Sequence, residues 1–483
     1  MRREGMAPVL LAGVLAVLAG CNTVQPEKEE APSPAASRHQ RLGGTPWMQD
    51  LDTRPGPFPI ADSNSVTLAN GVSLFAGEDV LHGSELWASD GTEAGTWLVK
   101  ELSPGMGDGP YDLTDVQGTV YFMTRDDYGL AGSSLWKTDG TTAGTVVVKH
   151  FPRGEDIERD VVNSLTVVQG TVYFLYLNQL WKSDGTQAGT TLFRQLAPDY
   201  NQTDVRLSSA LGLLFFEFNS VEHRRELWRT DGTAAGTMLL KDIRSSVDWW
   251  QPSTPIATMA DAVYFVAGEE PRQLWKTDGT PAGTVLVAEL ANGISELSVA
   301  GNTLFIATNS ALWKSDGTEA GTQQVHGFSG SSWYSYTRQL TPLNGTMYFT
   351  VRDSASGFEL WRSDGTTTGT YQVVDLLPGP ESSNPHRLRV WKNHLYFVAN
   401  ADASTFGLWK SDGTAANTTV LATWSASPAL INCGFTCAKA NLLPLANVLL
   451  VQPFDQDDET WRTDGTVAGT WRLGSVQAST RSS

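Results

Sequence analysis

The sequence is dominated by one pattern, Leu-Trp-x-x-Asp-Gly-Thr-x-x-Gly-Thr, whose Asp stands at Asp90, Asp139, Asp184, Asp231, Asp278, Asp316, Asp364, Asp412 and Asp464. A spacing of 38 to 52 residues is that of a supersecondary unit that buries its apolar face by stacking on its neighbours. Alternating and β-branched residues predict four short strands per unit, in the third unit at 165–168, 171–176, 179–183 and 191–195. Asn70-Gly71, Gln117-Gly118, Gln169-Gly170 and Asn344-Gly345 are the residue types of a two-residue hairpin between strands one and two. Four antiparallel strands in about 47 residues predict an all-β fold, a β-propeller of about nine four-stranded blades, with an open β-repeat array as the alternative.

In the turn between strands three and four, the motif Asp is placed to accept N–H groups of the residues that follow it. Both motif glycines are expected at positive φ; Asn417, which replaces the second Gly in repeat eight, is the non-Gly residue most tolerant of that region. The nine motif tryptophans, Trp87, Trp136, Trp181, Trp228, Trp275, Trp313, Trp361, Trp409 and Trp461, are expected in the core between blades, not as stacking sites for a ligand. The segment 44–51 resembles the end of a repeat, as in 95–102; it either pairs with the final blade or lies on the surface as a remnant.

Glu85-Leu86-Trp87 through Asp90-Gly91-Thr92 to Gly95-Thr96 shows the full motif by which the chain resembles the ELWxxDGT-repeat, or hyalin-like, proteins of bacteria. The resemblance covers 44–476, with departures at Ser134, Gln179, Gln273, Ala311 and Gly407 for Glu and at Thr460 for Leu. It implies architecture and export and names no activity. The turn is also similar to the blade motif of quinoprotein-type propellers; the Asp-box of sialidases spaces its Gly and Trp differently, and no residue is carried over from it.

Arg2 and Arg3, an apolar run over 7–18, and Ala19-Gly20 before Cys21 read as a secretory signal too short to span a membrane. Leu18-Ala19-Gly20-Cys21 resembles the lipobox of bacterial lipoproteins, which implies lipidation at Cys21 and a membrane partner reached through the lipid. Asn22 in place of Asp resembles the sorting pattern of outer-membrane lipoproteins, placing the protein in the cell envelope. The domain reading is thus a signal peptide over 1–21, a Pro-, Ala-, Ser- and Glu-rich tether over 22–43, the repeats over 44–476 and a tail over 477–483. Cys433 and Cys437 are expected to form a local disulfide, with two free thiols as the alternative.

A formal charge of -18, from 34 Lys and Arg against 52 Asp and Glu, disfavours a nucleic-acid partner. The pattern contains no phosphate loop, Cys/His metal cluster or nucleophile elbow, so no catalytic residue, metal or cofactor is assigned. The seven His are scattered singly and read as solvated; the acidic runs at Asp126-Asp127 and 455–459 lack the spacing of a calcium loop. Trp249, Trp250, Trp333, Tyr334 and Tyr336 fall in between-blade segments that break the repeat; they are the candidates for contact with a polysaccharide or protein partner, or else plug the channel. The resulting reading is a lipid-anchored, surface-displayed binding scaffold. A carbohydrate-active hydrolase or lyase and a purely structural envelope component are the alternatives.

Overall fold

The structure is a computed structural model, and it describes residues 65–473 apart from 80–82, 93–94, 103–106, 127–131, 153–161, 178, 197–204, 220–224, 245–255, 269–271, 329–337, 403, 426–439 and 454–459. Among the described residues every regular element is a β-strand, and the strands form nine four-stranded antiparallel sheets. Each sheet is one continuous stretch of chain with its strands in sequence order: 66–100, 107–152, 162–195, 206–244, 256–289, 294–327, 338–374, 386–425 and 440–473. The third blade consists of Val162–Val168, Thr171–Tyr176, Gln179–Ser183 and Thr191–Gln195, so only the start of its first strand precedes the predicted one. First strands of neighbouring blades pack on one another around the axis, and fourth strands form the rim.

The architecture is a nine-bladed β-propeller, closed by direct contact of blade nine with blade one. Phe75, Trp87 and Leu98 of blade one pack on Leu443, Leu445, Val448 and Leu450 of blade nine. Ser65 Oγ donates to Pro444 O, Asn447 Nδ2 to Asp90 O at 2.8 Å, and Ala446 N–H to Ser73 Oγ at 2.9 Å. Blade nine is completed by its own fourth strand, Trp471–Leu473. The segment 44–51 lies outside the described residues.

One apolar cluster fills each of the nine junctions, and each contains the motif Trp of the later blade: Trp136 joins Leu74 and Leu86 of blade one, and Trp361 joins Phe305 and Phe328 of blade six. An aromatic ring on the second strand often lies opposite the Trp, as in Phe122–Trp136, stacked at 6.0 Å, and Phe174–Trp181, stacked at 6.5 Å. Full burial of one such Phe contributes roughly 2–3 kcal/mol. In eight blades the fourth strand carries one extra residue against the motif Leu-Trp pair, and this bulge turns an apolar side chain into the junction; Val99, Val148 and Val287 are examples. Blade nine, where Thr460 replaces that Leu, pairs without a bulge.

The turn after the third strand is the same in all nine repeats. In repeat three Asp184 Oδ1 accepts Thr186 N–H at 2.9 Å and Thr186 Oγ1–H at 2.7 Å, and Gly189 N–H donates to Thr186 Oγ1 at 2.9 Å. Thr190 Oγ1 donates to Thr186 O at 2.6 Å, and Gly185 N–H donates to Ser183 Oγ at 3.0 Å. The first motif Gly has positive φ in every repeat, 85° at Gly185. The second does not, contrary to expectation: it is Gly because a Cβ at Gly189 would stand 2.1 Å from Asp184 Oδ1. Asn417 is likewise outside the positive-φ region, and it meets the crowding by donating Nδ2–H to Asp412 Oδ2 at 2.7 Å. The substitution is therefore explained by a hydrogen bond to the turn Asp, and the conformational argument drawn from it is wrong.

The first motif Gly also abuts the preceding blade. A Cβ at Gly185 would lie 2.1 Å from the Tyr121 hydroxyl, and one at Gly317 2.1 Å from that of Tyr264. The Lys after the motif Trp crosses the same junction, Lys137 Nζ donating to Gly185 O at 2.8 Å and Lys276 Nζ to Gly317 O at 2.8 Å. The hairpin glycines Gly71, Gly118, Gly170, Gly301 and Gly345 have no such neighbour: Gly118 has φ 90° and open space where its Cβ would point. Gly118→Ala is therefore expected to cost about 1–2 kcal/mol for the left-handed backbone alone. Gly185→Ala adds ~1–3 kcal/mol of overpacking, and Tyr121→Phe should recover part of that excess in a double-mutant cycle read from denaturant midpoints. Equal midpoints for the two Gly variants would contradict the assigned contact.

Candidate functional site

Strand direction divides the ring into two faces. The hairpins between strands one and two share a face with the nine Asp turns, and the turns between strands two and three share the other with the between-blade connections. The first face repeats one hydrogen-bonded unit nine times. Each turn Asp is held below the usual carboxylate range, first by the Thr hydroxyl and then by the Thr N–H, as at Asp184, Asp278 and Asp316. This is chemistry spent on a turn.

The second face differs from blade to blade at the first position of the motif. Gln179, Glu226 and Gln273 accept the indole N–H of the Trp two residues on, at 2.8 to 3.1 Å. Glu85 is buried and accepts Leu102 N–H at 2.5 Å from its own between-blade connection. Ser134 stands beside Asp126 and His150: Ser134 Oγ donates to Asp126 Oδ2 at 2.7 Å, and His150 Nδ1 lies 3.1 Å from both Asp126 Oδ2 and Ser134 Oγ. A nucleophile relay needs Ser and Asp at opposite ring nitrogens. Here both meet Nδ1, so the trio fixes the ring and forms no triad.

Blade four departs in its second strand, where the position held elsewhere by Met123, Leu175, Val266 and Val398 is Glu217. It accepts Arg225 Nε–H at 3.0 Å, with both side chains buried. A buried ion pair of this kind contributes little net stability relative to apolar packing, although removing one partner alone would leave an uncompensated buried charge.

The connection from blade seven to blade eight gathers several buried polar groups. Glu359 Oε1 accepts Ser383 N–H at 2.8 Å, and its Oε2 accepts Ser383 Oγ–H at 2.5 Å and Leu376 N–H at 3.4 Å. Asn400 N–H donates to Ser383 O at 2.7 Å and Asn400 Nδ2–H to Ser382 O at 3.1 Å, while Phe358 N–H donates to Ser382 Oγ at 3.0 Å. His386, which begins the next blade, donates Nδ1–H to Asn384 O at 2.9 Å. Its Nε2 and the Oδ1 of Asn400 are buried acceptors with no hydrogen bond among the described residues. Burial pushes the Glu359 carboxyl up to about 7 against the Ser383 hydrogen bonds, and pushes the His386 imidazole down to about 4.

Sequence reasoning missed this cluster. It counted His386 among the solvated histidines, whereas the ring is buried against Phe406. The alternation of His386 with Leu388 was the available signal for a strand. Of the other site residues, Cys21, Cys433, Cys437, Trp249, Trp250, Trp333, Tyr334 and Tyr336 lie outside the described residues. So do Asp127 and 455–459. No group of three or more His, Cys, Asp or Glu suited to a metal occurs among the described residues.

No family model matches the chain, and no curated protein matches it. Solved structures do resemble it at low identity. Puromycin hydrolase is 16% identical with a TM-score of 0.37 over 69% of this chain, and a prolyl endopeptidase is 11% identical with a TM-score of 0.44 over 86%. The chain spans 56% and 55% of the lengths of those two proteins. AztD of Citrobacter koseri is 11% identical with a TM-score of 0.40, over 84% of this chain and 92% of its own. At these identities the likenesses say nothing of substrate or partner.

The two buried groups give opposed pH dependences. Glu359 titrates higher folded than the 4.5 of an ordinary Glu, so its contribution to stability is complete below 4.5 and lost as pH rises through 7. His386 titrates lower than 6.5, so its contribution is complete above 6.5 and lost as pH falls through 4. Glu359→Gln should leave the His386 slope, stability rising from pH 4 to 6.5; His386→Phe should leave the Glu359 slope, stability falling from 4.5 to 7. Each slope is on the order of 3 kcal/mol, and urea midpoints across pH that coincide for both variants would contradict the burial of these groups.

Proposed function

We propose that the chain is an exported, lipid-anchored binding scaffold of the cell envelope that engages a polysaccharide or a protein partner on the face of the between-blade connections. The observation that carries this reading is the contrast between faces: nine copies of one turn on one side, and on the other a first motif position whose residue or hydrogen-bond partner changes between blades. A rigid ring with one varied face is a platform whose specificity is written in loops. The buried carboxyls of Glu85 and Glu359 are turned onto main-chain N–H groups of their own connections, which supports binding over hydrolysis.

Anchoring rests on Leu18-Ala19-Gly20-Cys21 and outer-membrane placement on Asn22. Buried acyl methylenes at ~0.8 kcal/mol each hold a doubly acylated protein firmly. Cys21→Ala should move the protein from the membrane pellet to the soluble exported fraction; a variant still in the pellet would refute the anchor.

Recognition is assigned to Trp249, Trp250, Trp333, Tyr334 and Tyr336, because no strand or turn of the repeat calls for aromatic residues there. Their joint replacement by Ala should weaken retention on envelope polysaccharides with the melting temperature unchanged. A large drop in melting temperature would make these rings packing residues and remove the residue-level support for binding. Unchanged retention and unchanged melting would redirect the proposal to a protein partner.

A further inference from the structure

The sequence holds ten Asp-Gly bonds, nine in the motif and one at Asp108, and three Asn-Gly bonds, at Asn70, Asn292 and Asn344. These are the dipeptides most open to succinimide formation, since Gly lacks a side chain to shield its amide nitrogen. The reaction needs two free groups: a side-chain carbonyl carbon to be attacked and the Gly N–H to attack it. The structure differs sharply between the nine motif bonds and the three Asn-Gly bonds in what it leaves free.

In every motif turn both groups are engaged. The carboxylate accepts two hydrogen bonds from Thr, and the Gly N–H is held by the preceding Ser or Thr hydroxyl: 2.9 Å for Gly91 to Ser89, 3.0 Å for Gly279 to Thr277, and 3.0 Å for Gly413 to Ser411. The Thr contacts also keep these carboxyls ionised, as at Asp139 and Asp231, and an ionised carboxylate has no hydroxyl to leave as water. Asn70 is similarly engaged, its Oδ1 accepting Val72 N–H at 3.0 Å while Gly71 N–H donates to Leu68 O at 2.9 Å. Asn292 is half engaged, donating Nδ2–H to Ser310 Oγ at 3.1 Å. Asn344 is exposed, and neither its side chain nor Gly345 N–H has a hydrogen bond among the described residues.

We propose that Asn344 is a built-in site of spontaneous deamidation in the folded protein, and that the Thr of each motif turn protects the neighbouring Asp-Gly bond from the equivalent reaction. At Asn344 the Gly345 nitrogen gives up its proton and bonds to the side-chain carbonyl carbon, and the C–N bond to the amide breaks with release of ammonia. Water then opens the succinimide at either carbonyl, giving Asp or isoaspartate. Isoaspartate routes the main chain through Cβ and adds one atom to a two-residue turn. That turn sets the pairing of Leu343 with Thr346, between the strands Arg338–Leu343 and Thr346–Asp353. A lengthened turn shifts the register of the inner hairpin of blade seven.

The test is peptide mass mapping, with isoaspartyl methyltransferase labelling, of the full chain aged in mildly alkaline buffer, folded and in guanidinium. In the folded chain Asn344 should convert first, ahead of Asn292 and Asn70, and the motif Asp-Gly bonds should isomerise at least about tenfold slower than in guanidinium, the factor that one or two such hydrogen bonds carry. In guanidinium the three Asn-Gly bonds should convert alike. Asn344→Gln should remove the earliest product, and Thr186→Val should bring isoaspartate at Asp184 in protein that retains its folded β-sheet spectrum. Asn70 converting as fast as Asn344 in the folded chain, or motif Asp-Gly bonds isomerising at the guanidinium rate, would overturn the proposal.

Discussion

Everything in the ring depends on the Asp turn that ends each third strand. Its carboxylate organises one Thr, that Thr holds the second Gly, and the resulting curl presents the first Gly to the blade before it. The turn is thus both a local device and a junction. A side chain at the first Gly would collide with the Tyr hydroxyl across the junction at Gly185, Gly317 and Gly413, so blade spacing is set where the backbone itself is the contact surface. The Lys that follows the motif Trp then ties the two blades on the same side, while the Trp ring fills the space below. The junction between blades two and three is therefore secured by three motif positions, Gly185 and Trp181 from the later repeat and Lys137 from the earlier one, each through a different interaction: close approach, apolar packing and a charge-assisted hydrogen bond.

Much of this was legible because the repeat is internal: nine aligned copies separate what the fold demands from what it tolerates. The strands of blade three follow from alternation, and the all-β ring from the spacing of the motif Asp residues. What was not legible is three-dimensional. Gly189 and Gly185 look equivalent in sequence, yet one avoids a carboxylate and the other a neighbouring blade, and only the second needs positive φ. The bulge beside the motif Leu-Trp pair is invisible because Val99 or Val148 is an ordinary strand residue until the pairing on either side is known. The Glu359 cluster escaped for the opposite reason. Its contact with Leu376 N–H repeats that of Glu85 with Leu102 N–H in blade one, but Ser383 lies outside the repeated motif, so the alignment that exposed the scaffold did not point to it.

The same division explains why the two faces carry different chemistry. On the Asp-turn face the donors and acceptors of the nine Asp turns are spent inside their own repeat or on a neighbouring one, which leaves little in those turns to vary without loosening a junction. On the other face the first motif position is a spare side chain at the end of a strand. It is used for an indole N–H in blades three, four and five, for a main-chain N–H in blades one and seven, and for an Asp-His contact in blade two. That freedom comes from geometry, since the Trp and the turn already hold the blade.

Ring closure shows how little the seam needs. Eight junctions join consecutive blades, so their contacts are formed between segments close in sequence; the ninth joins residues such as Ala446 and Ser73, separated by 373 positions. Closing a longer loop costs only about 0.6 kcal/mol more per doubling of its length, and much of that cost is already met once eight blades are stacked. A seam of seven apolar side chains with a few hydrogen bonds is then sufficient, and it carries its own substitutions. Asn447 stands where other blades offer a Tyr, Leu or Phe side chain to the motif Gly, and Arg462, an Arg as in blades four and seven, reaches Gly91 O at 3.5 Å in the way that Lys137, Lys182, Lys276 and Lys410 reach theirs. Asn447 also donates to Asp90 O at 2.8 Å, so the seam adds a side-chain hydrogen bond at the place where the chain cannot rely on continuity. The ends of the repeat array are thus the place where the repeat had to change, because there alone a blade must recognise a neighbour that it was not built next to.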